Sequence, residues 1–240
     1  MPRPKPAAPM SGIPFENLSD KAKKTACNAN REISVEGEWW ECVYEDFVSI
    51  AAMMGLDINK RKEGKNSNRP LISPDIYFSW FYSQGAGASF SGVWNPVKSP
   101  IDSLSDLLEH APLDADLHEI ALDLMLISER CNALAPSTNI RLFHGIYTSC
   151  HSMRIDVEVP VPDDIDHHIP LQMMIWEALL KDSGIEPETL EQSASDIFRR
   201  LADWLNEQLR DDYEYLTSDK HLAEVLSDDQ YSFTEDGHYA

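Results

Sequence analysis

The densest grouping of side chains able to do chemistry is His144, Tyr147, Cys150 and His151. A cysteine beside histidines could form a nucleophile and base pair, or begin a zinc site. The first needs a positioned base and an oxyanion site, and the second needs three or four convergent ligands. No spacing here matches either motif, so the group reads as sheet-edge histidines and a packed cysteine, with His144, Tyr147 and His151 kept as a polar cluster. The run Asp163-Asp164-Ile165-Asp166-His167-His168 offers carboxylates and imidazoles to a divalent cation. It lacks the glycine and terminal glutamate of a calcium loop, and reads as a solvated turn before a helix. Gly85 and Gly87 could cradle a phosphate, but no Lys-Ser/Thr pair and no helix start follow them. No catalytic residue, metal or cofactor is therefore assigned, and a binding protein is expected.

The glycines sit between two aromatic-rich runs in residues 76–94, IYFSWFYSQGAGASFSGVW. Alternation places Tyr77, Ser79, Phe81 and Ser83 on one strand face and Ile76, Phe78, Trp80 and Tyr82 on the other. Rings on both faces mean either burial between layers or an aromatic face open to a partner. The glycines suit a tight reversal into a second strand over 88–94, giving a hairpin. Its expected interaction residues are Tyr77, Ser79, Trp80, Tyr82, Gln84, Gly85, Gly87, Phe90 and Trp94. A second hairpin is expected from 139–148 and 153–161, where Ile155, Val157, Val159 and Val161 alternate with polar residues or proline.

Helices account for most of the remainder. Ser19 is an N-cap for a helix to about residue 31, and a second helix runs over about 38–54, ending at Gly55. Further periodic stretches cover 101–109 and 116–131, the latter with Leu117, Ile120, Ala121, Leu124, Ile127 and Ser128 on one face. Leu171, Met174, Ile175, Ala178 and Leu179 mark another helix, and a longer one follows from Leu190 to Leu209. Ser218 caps a short final helix, after which Phe233 can dock the C-terminal end. The layout predicts an α+β fold: a small antiparallel sheet, about four strands in two hairpins, covered by several helices.

At several of these segments the chain resembles a group of phage and prophage proteins, some labelled antitoxin, whose usual hairpin pattern is FSGFxSQGDGAxFxG. FENLSDKAKKTA, EWWECVYEDF, DDYEYLTSD and FTEDG also resemble that group's motifs, so the likeness extends along the chain. Trp80 stands where the group has glycine, and Ala86 where it has aspartate, so no carboxylate role of the turn carries over. The resemblance implies a phage origin.

The chain has 240 residues and a formal net charge of -21. Residues 1–70 hold 11 Lys/Arg against 10 Asp/Glu, leaving 9 against 31 for residues 71–240. Such a field disfavours direct binding to duplex nucleic acid and favours a partner with a basic surface. Four cysteines without CxxC spacing suggest reduced thiols, and no apolar run reaches the roughly 20 residues of a membrane span. A cytoplasmic protein of the host cell is expected, with a flexible tail over 1–12, one domain over 13–240, and an exposed basic loop over 59–70. The oligomeric state is left open. The expected function is a non-enzymatic, phage-encoded inhibitor of a host defence or nucleic-acid-handling protein, of anti-CRISPR or anti-restriction type, acting by acidic nucleic-acid mimicry. The alternatives are a small enzyme acting on a nucleotide or protein through the His144/His151 region, and an antitoxin that neutralises a toxin by binding.

Overall fold

The computed structural model describes residues 12–63, 71–82, 85–145, 147–228 and 231–240. Most of the expected tail, and 64–70 of the basic loop, lie outside these residues. The chain expected as one domain divides into two compact units, Met1–Glu41 with Leu209–Ala240, and Cys42–Gln208.

The terminal unit has its own apolar cluster, which is why the two chain ends associate. Ser19 accepts a hydrogen bond from the Ala22 amide and opens α1 (Asp20–Ala29). Ser218 does the same for His221 at the start of α7 (Asp219–Leu226). Ala22, Ala26 and Cys27 meet Leu222 and Leu226 in the cluster, together with Phe15, Leu18 and Phe233. Phe233 is fully buried, exchanges both backbone hydrogen bonds with Ile13, and sets its ring edge-on to Phe15.

The central unit is built on a junction of three broken strands. Leu56–Ile58 (β1) and Lys60–Glu63 (β2) are separated by Asn59, and Leu71–Pro74 (β3) and Ile76–Ser79 (β4) by Asp75. Gly87–Phe90 (β5) and Gly92–Trp94 (β6) are separated by Ser91. At each break the chain changes partner, so that β1 pairs with β6, β2 with β3, and β4 with β5, all antiparallel. The three intervening residues close a ring of backbone hydrogen bonds. Asn59 N–H donates to the Ser91 carbonyl (2.9 Å), Ser91 N–H to Asp75 (3.0 Å), and Asp75 N–H to Asn59 (2.7 Å). The ring satisfies polar groups that would otherwise lose their ladder where the strands part. Gly92 is needed beside it, because a Cβ there would sit 2.6 Å from the Asp57 carbonyl oxygen.

One arm of the junction grows into a four-stranded antiparallel sheet, β1-β6-β7-β8, with Asn139–Phe143 as β7 and Arg154–Glu158 as β8. The fold is α+β, as the layout predicts. Register puts Leu56, Trp94, Ile140 and Val157 in one row and Ile58, Gly92, Leu142 and Ile155 in the next, which makes the apolar face. The other face carries Asp57, Val93, Arg141 and Asp156. Phe47, from α2 (Glu41–Met53), packs its ring against Phe90 at 5.1 Å and against Trp204 of α6 (Pro187–Leu216) at 6.4 Å. The expected apolar faces of α4 (Ala115–Leu134) and α6 are buried.

Two expectations about these elements need correction. The segment 88–94 is two strands rather than one, since Ser91 diverts the chain from β4 to the sheet. The basic stretch beginning at residue 59 is not all loop, because Lys60–Glu63 pairs with Leu71–Pro74 through backbone bonds that require no apolar side chains. The helix expected from Leu171, Met174, Ile175, Ala178 and Leu179 forms as α5 (Pro170–Ser183), with that stripe facing outward and Trp176 and Leu180 making the buried side. Among the described residues no helix is long and apolar enough to cross a membrane.

The Ser91 hydroxyl also accepts the His144 amide (3.0 Å), tying the end of β7 to the junction. Ser91→Ala should therefore cost about 1–3 kcal/mol in urea unfolding, since it leaves a part-buried amide without its acceptor. Ser89 is equally buried, but its hydroxyl has no partner among the described residues, so Ser89→Ala should be neutral or stabilising. Equal losses for the two variants would contradict this distinction.

Candidate interaction surface

The β4–β5 ladder has two unlike faces. Ile76, Phe78, Ala88 and Phe90 form the inner one, and Ile76, Ala88 and Phe90 are fully buried. Phe90 and Trp94, expected to meet a partner, are therefore core residues. The Trp94 indole N–H donates to the Met54 carbonyl at 2.9 Å, and burying each ring contributes on the order of 1.5–3 kcal/mol. Aromatic spacing alone does not tell a packed ring from an exposed one.

The outer face carries Tyr77, Ser79, Gly87 and Ser89. A Cβ on Gly87 would lie 3.1 Å from Ser149 Cα, so the glycine lets the Ser149 backbone approach the strand and does not face a partner. The Ser79 hydroxyl is likewise enclosed, without a partner among the described residues. Tyr77 is half-buried between two cationic or ionisable groups. The Arg61 guanidinium lies 4.4 Å from its ring centroid, and the His144 ring 4.3 Å from it. Arg61 comes from β2, Tyr77 from β4 and His144 from the end of β7, so the junction assembles this group from three separate segments. Sequence reading missed Arg61 because it placed that residue in a loop. Beyond β4, Trp80 is 61% exposed and Tyr82 77% exposed, while Gly85 turns the chain at φ +84°. Gln84 lies outside the described residues.

The polar cluster does not converge. His144 directs Nδ1 toward the Gly145 carbonyl (2.9 Å), and Tyr147 and His151 are exposed. Cys150 is buried, and its thiol donates to Asp203 Oδ1 at 3.0 Å. Burial, followed by the hydrogen bond and charge of Asp203, pushes its pKa up to about 12, against smaller opposing effects of Ser149 and Arg199. At neutral pH it remains a thiol, which is a poor nucleophile and a poor metal ligand. Among the described residues, one group of His, Cys, Asp or Glu brings three ligand atoms within 4.8 Å of one another: Asp166, His167 and His168, all exposed.

A separate candidate surface is carried by the pair α3 (Pro100–His110) and α4. Residues 99–129 contain eight acidic residues and neither lysine nor arginine. Asp102, Asp106, Glu109, Asp116 and Glu119 are exposed. Asp114 fixes the corner: one carboxylate oxygen caps α4 at the Leu117 amide (3.0 Å), and the other accepts the Trp204 indole N–H (2.8 Å). His110 pairs with Asp46 at 2.7 Å and holds the end of α3. A depression of about 580 Å³ lies at this corner, lined by residues 111–116, and Leu113 there is 96% exposed.

Residues 39–219 match the model of a family described as Domain of unknown function (DUF8835). The chain belongs to that family. The matched segment contains Arg61, Tyr77, His144, Cys150 and the whole of the acidic α3–α4 pair. No curated protein and no solved structure matched the chain.

The burial of Cys150 and Cys131, the latter pushed up to about 11 chiefly by burial, has two measurable consequences. A thiol reagent at neutral pH should modify exposed Cys42 in the folded protein and reach Cys150 and Cys131 only on unfolding. Both folded thiols hold their protons above the ordinary value of 9.0, so the unfolded chain binds fewer protons over that range. Stability should be unaffected by them below about pH 9 and decline as pH rises toward 11–12. Rapid native-state modification of Cys150 would contradict the buried, protonated thiol.

Proposed function

We propose that this protein is a non-enzymatic inhibitor that binds a basic, nucleic-acid-handling protein, such as a host nuclease or restriction or CRISPR effector, and blocks its nucleic-acid site. The observation that carries this reading is the α3–α4 pair, a helical surface that exposes six carboxylates, Asp102, Asp106, Glu109, Asp116, Glu119 and Glu129, with no lysine or arginine over 99–129. A cationic groove evolved for phosphates attracts such a surface over a distance of about a Debye length, roughly 8 Å at physiological salt. Carboxylates alone give steering rather than tight binding, which needs desolvated apolar or aromatic anchors. Ile101, Leu108 and Leu113 supply exposed apolar groups among the acids, and Trp80 and Tyr82 supply rings on the hairpin. The phage origin rests on the hairpin and terminal motifs. Cytoplasmic location in the host cell follows from this role and forms part of the proposal. An antitoxin would differ only in its partner. An enzyme built on His144 and His151 draws no support from side chains that do not converge around a protonated Cys150.

The test combines a cell assay and a binding assay. Expression of the protein should raise plasmid transformation past a restriction or CRISPR barrier, and Asp102→Lys with Asp106→Lys and Asp116→Lys should abolish the effect. With the purified effector, raising salt from about 50 to 200 mM should weaken binding roughly tenfold. Full activity of the charge-reversed variant would overturn the reading.

A further inference from the structure

Strand β8 is an edge of the four-stranded sheet. It pairs with β7 on one side, and on the other its backbone amides and carbonyls have no hydrogen-bond partner among the described residues. Such an edge is a template for another strand. β8 has five residues, against three in β1 at the opposite edge. Met153 before it is also extended, at φ -64° and ψ 133°, so 153–158 form one run without proline. Pro160 and Pro162 follow and end it. Side chains alternate along the run. Met153, Ile155 and Val157 belong to the apolar face, and Arg154, Asp156 and Glu158 to the other, with side chains 68%, 44% and 55% exposed.

We propose that β8 pairs with β8 of a second copy, antiparallel about a twofold axis at Ile155, joining two four-stranded sheets into one of eight strands. The charges choose the register. Apolar face continues into apolar face only if the axis passes through a residue of the strand. An axis at Arg154 or Asp156 sets that charge against itself, and one at Val157 sets Asp156 against Glu158 of the other copy. With the axis at Ile155, Ile155 meets itself, Met153 meets Val157, Ser152 meets Glu158, and Arg154 meets Asp156 in both directions. In a single chain Arg154 and Asp156 already touch at 3.2 Å, an exposed pair of the kind that contributes little alone. Around the axis the two pairs become a ring of four charges of alternating sign. Behind it, Arg141 stands beside Asp156 in the sheet register, and the Phe143 ring lies 4.4 Å from the Arg154 guanidinium. The carboxylates of Asp163, Asp164 and Asp166 come after the prolines, outside the paired run. The net charge of -21 per copy opposes association and is screened beyond about 8 Å at physiological salt. A strand complementary to itself in one register selects a second copy over an unrelated partner, and the inference is independent of the α3–α4 surface.

Sedimentation velocity of the full chain at tens of micromolar and physiological salt should give twice the chain mass. Amide exchange over 153–157 should slow roughly tenfold between dilute and concentrated samples. Arg154→Asp sets a carboxylate against Asp156 of the other copy and should give a monomer with an unchanged circular dichroism spectrum. Asp156→Arg should do the same through two guanidinium groups. Arg154→Asp combined with Asp156→Arg restores opposite charges across the axis and should restore the dimer. A wild-type monomer at about 100 µM would overturn the proposal. So would a dimer that survives Arg154→Asp, a combined variant that stays monomeric, or exchange over 153–157 that is the same at every concentration. Protection of these amides only on adding an inhibited effector would assign the edge to that protein and equally overturn self-pairing.

Discussion

Three backbone hydrogen bonds, made by residues that belong to no strand, hold the central unit together. Asn59, Asp75 and Ser91 each stand where one strand ends and another begins, and each donates to the next around a closed ring. Without the ring, the backbone groups at three breaks in the ladders would lose their partners, and at buried Ser91 an unsatisfied amide would cost on the order of 1–3 kcal/mol. With it, three short ladders radiate from one point, and none needs the length that an isolated hairpin requires for stability. Ser91 adds a fourth connection through its hydroxyl to His144, so β7 joins the same node.

The candidate surface inherits its geometry from that node. Arg61, Tyr77 and His144 are 16 or more positions apart in sequence, yet their side chains meet because β2, β4 and β7 all leave or reach the junction. Assembled there are a guanidinium and an imidazole, at 4.4 Å and 4.3 Å from the centroid of one phenol ring. The charged helices are positioned by different means. Asp114 spends both carboxylate oxygens on structure, at the α4 amide and the Trp204 indole, and thereby fixes the corner around which the solvent-facing carboxylates are displayed.

Much of this was legible in the sequence where local rules govern. The caps at Ser19 and Ser218, the helix end at Gly55, and the buried faces of α4 and α6 follow from spacing and turn chemistry. The α+β class and a sheet of four strands were also readable, although β1 was not read as a strand and β4, read as part of that sheet, pairs with β5 in a separate ladder. Illegible features depend on what lies opposite in space. Residues 88–94 read as one strand because nothing in SFSGVW signals a change of partner at Ser91. Lys60–Glu63 lacks the apolar alternation by which strands are recognised, since its backbone ladder to Leu71–Pro74 requires no apolar side chains. Periodicity located the α5 stripe but not its direction, because a repeat identifies a face and not what covers it. Phe90 and Trp94 were misplaced for a related reason, as rings on both sides of a strand do not say which side is the core.

The central unit depends on the junction, and native-state hydrogen exchange measures it directly. The amides of Asn59, Asp75 and Ser91 should be among the slowest in the protein, exchanging only through global unfolding, although none lies within a strand. Exchange of these three amides at rates typical of loops, while the flanking strands stay protected, would contradict the ring as the feature that holds the ladders together.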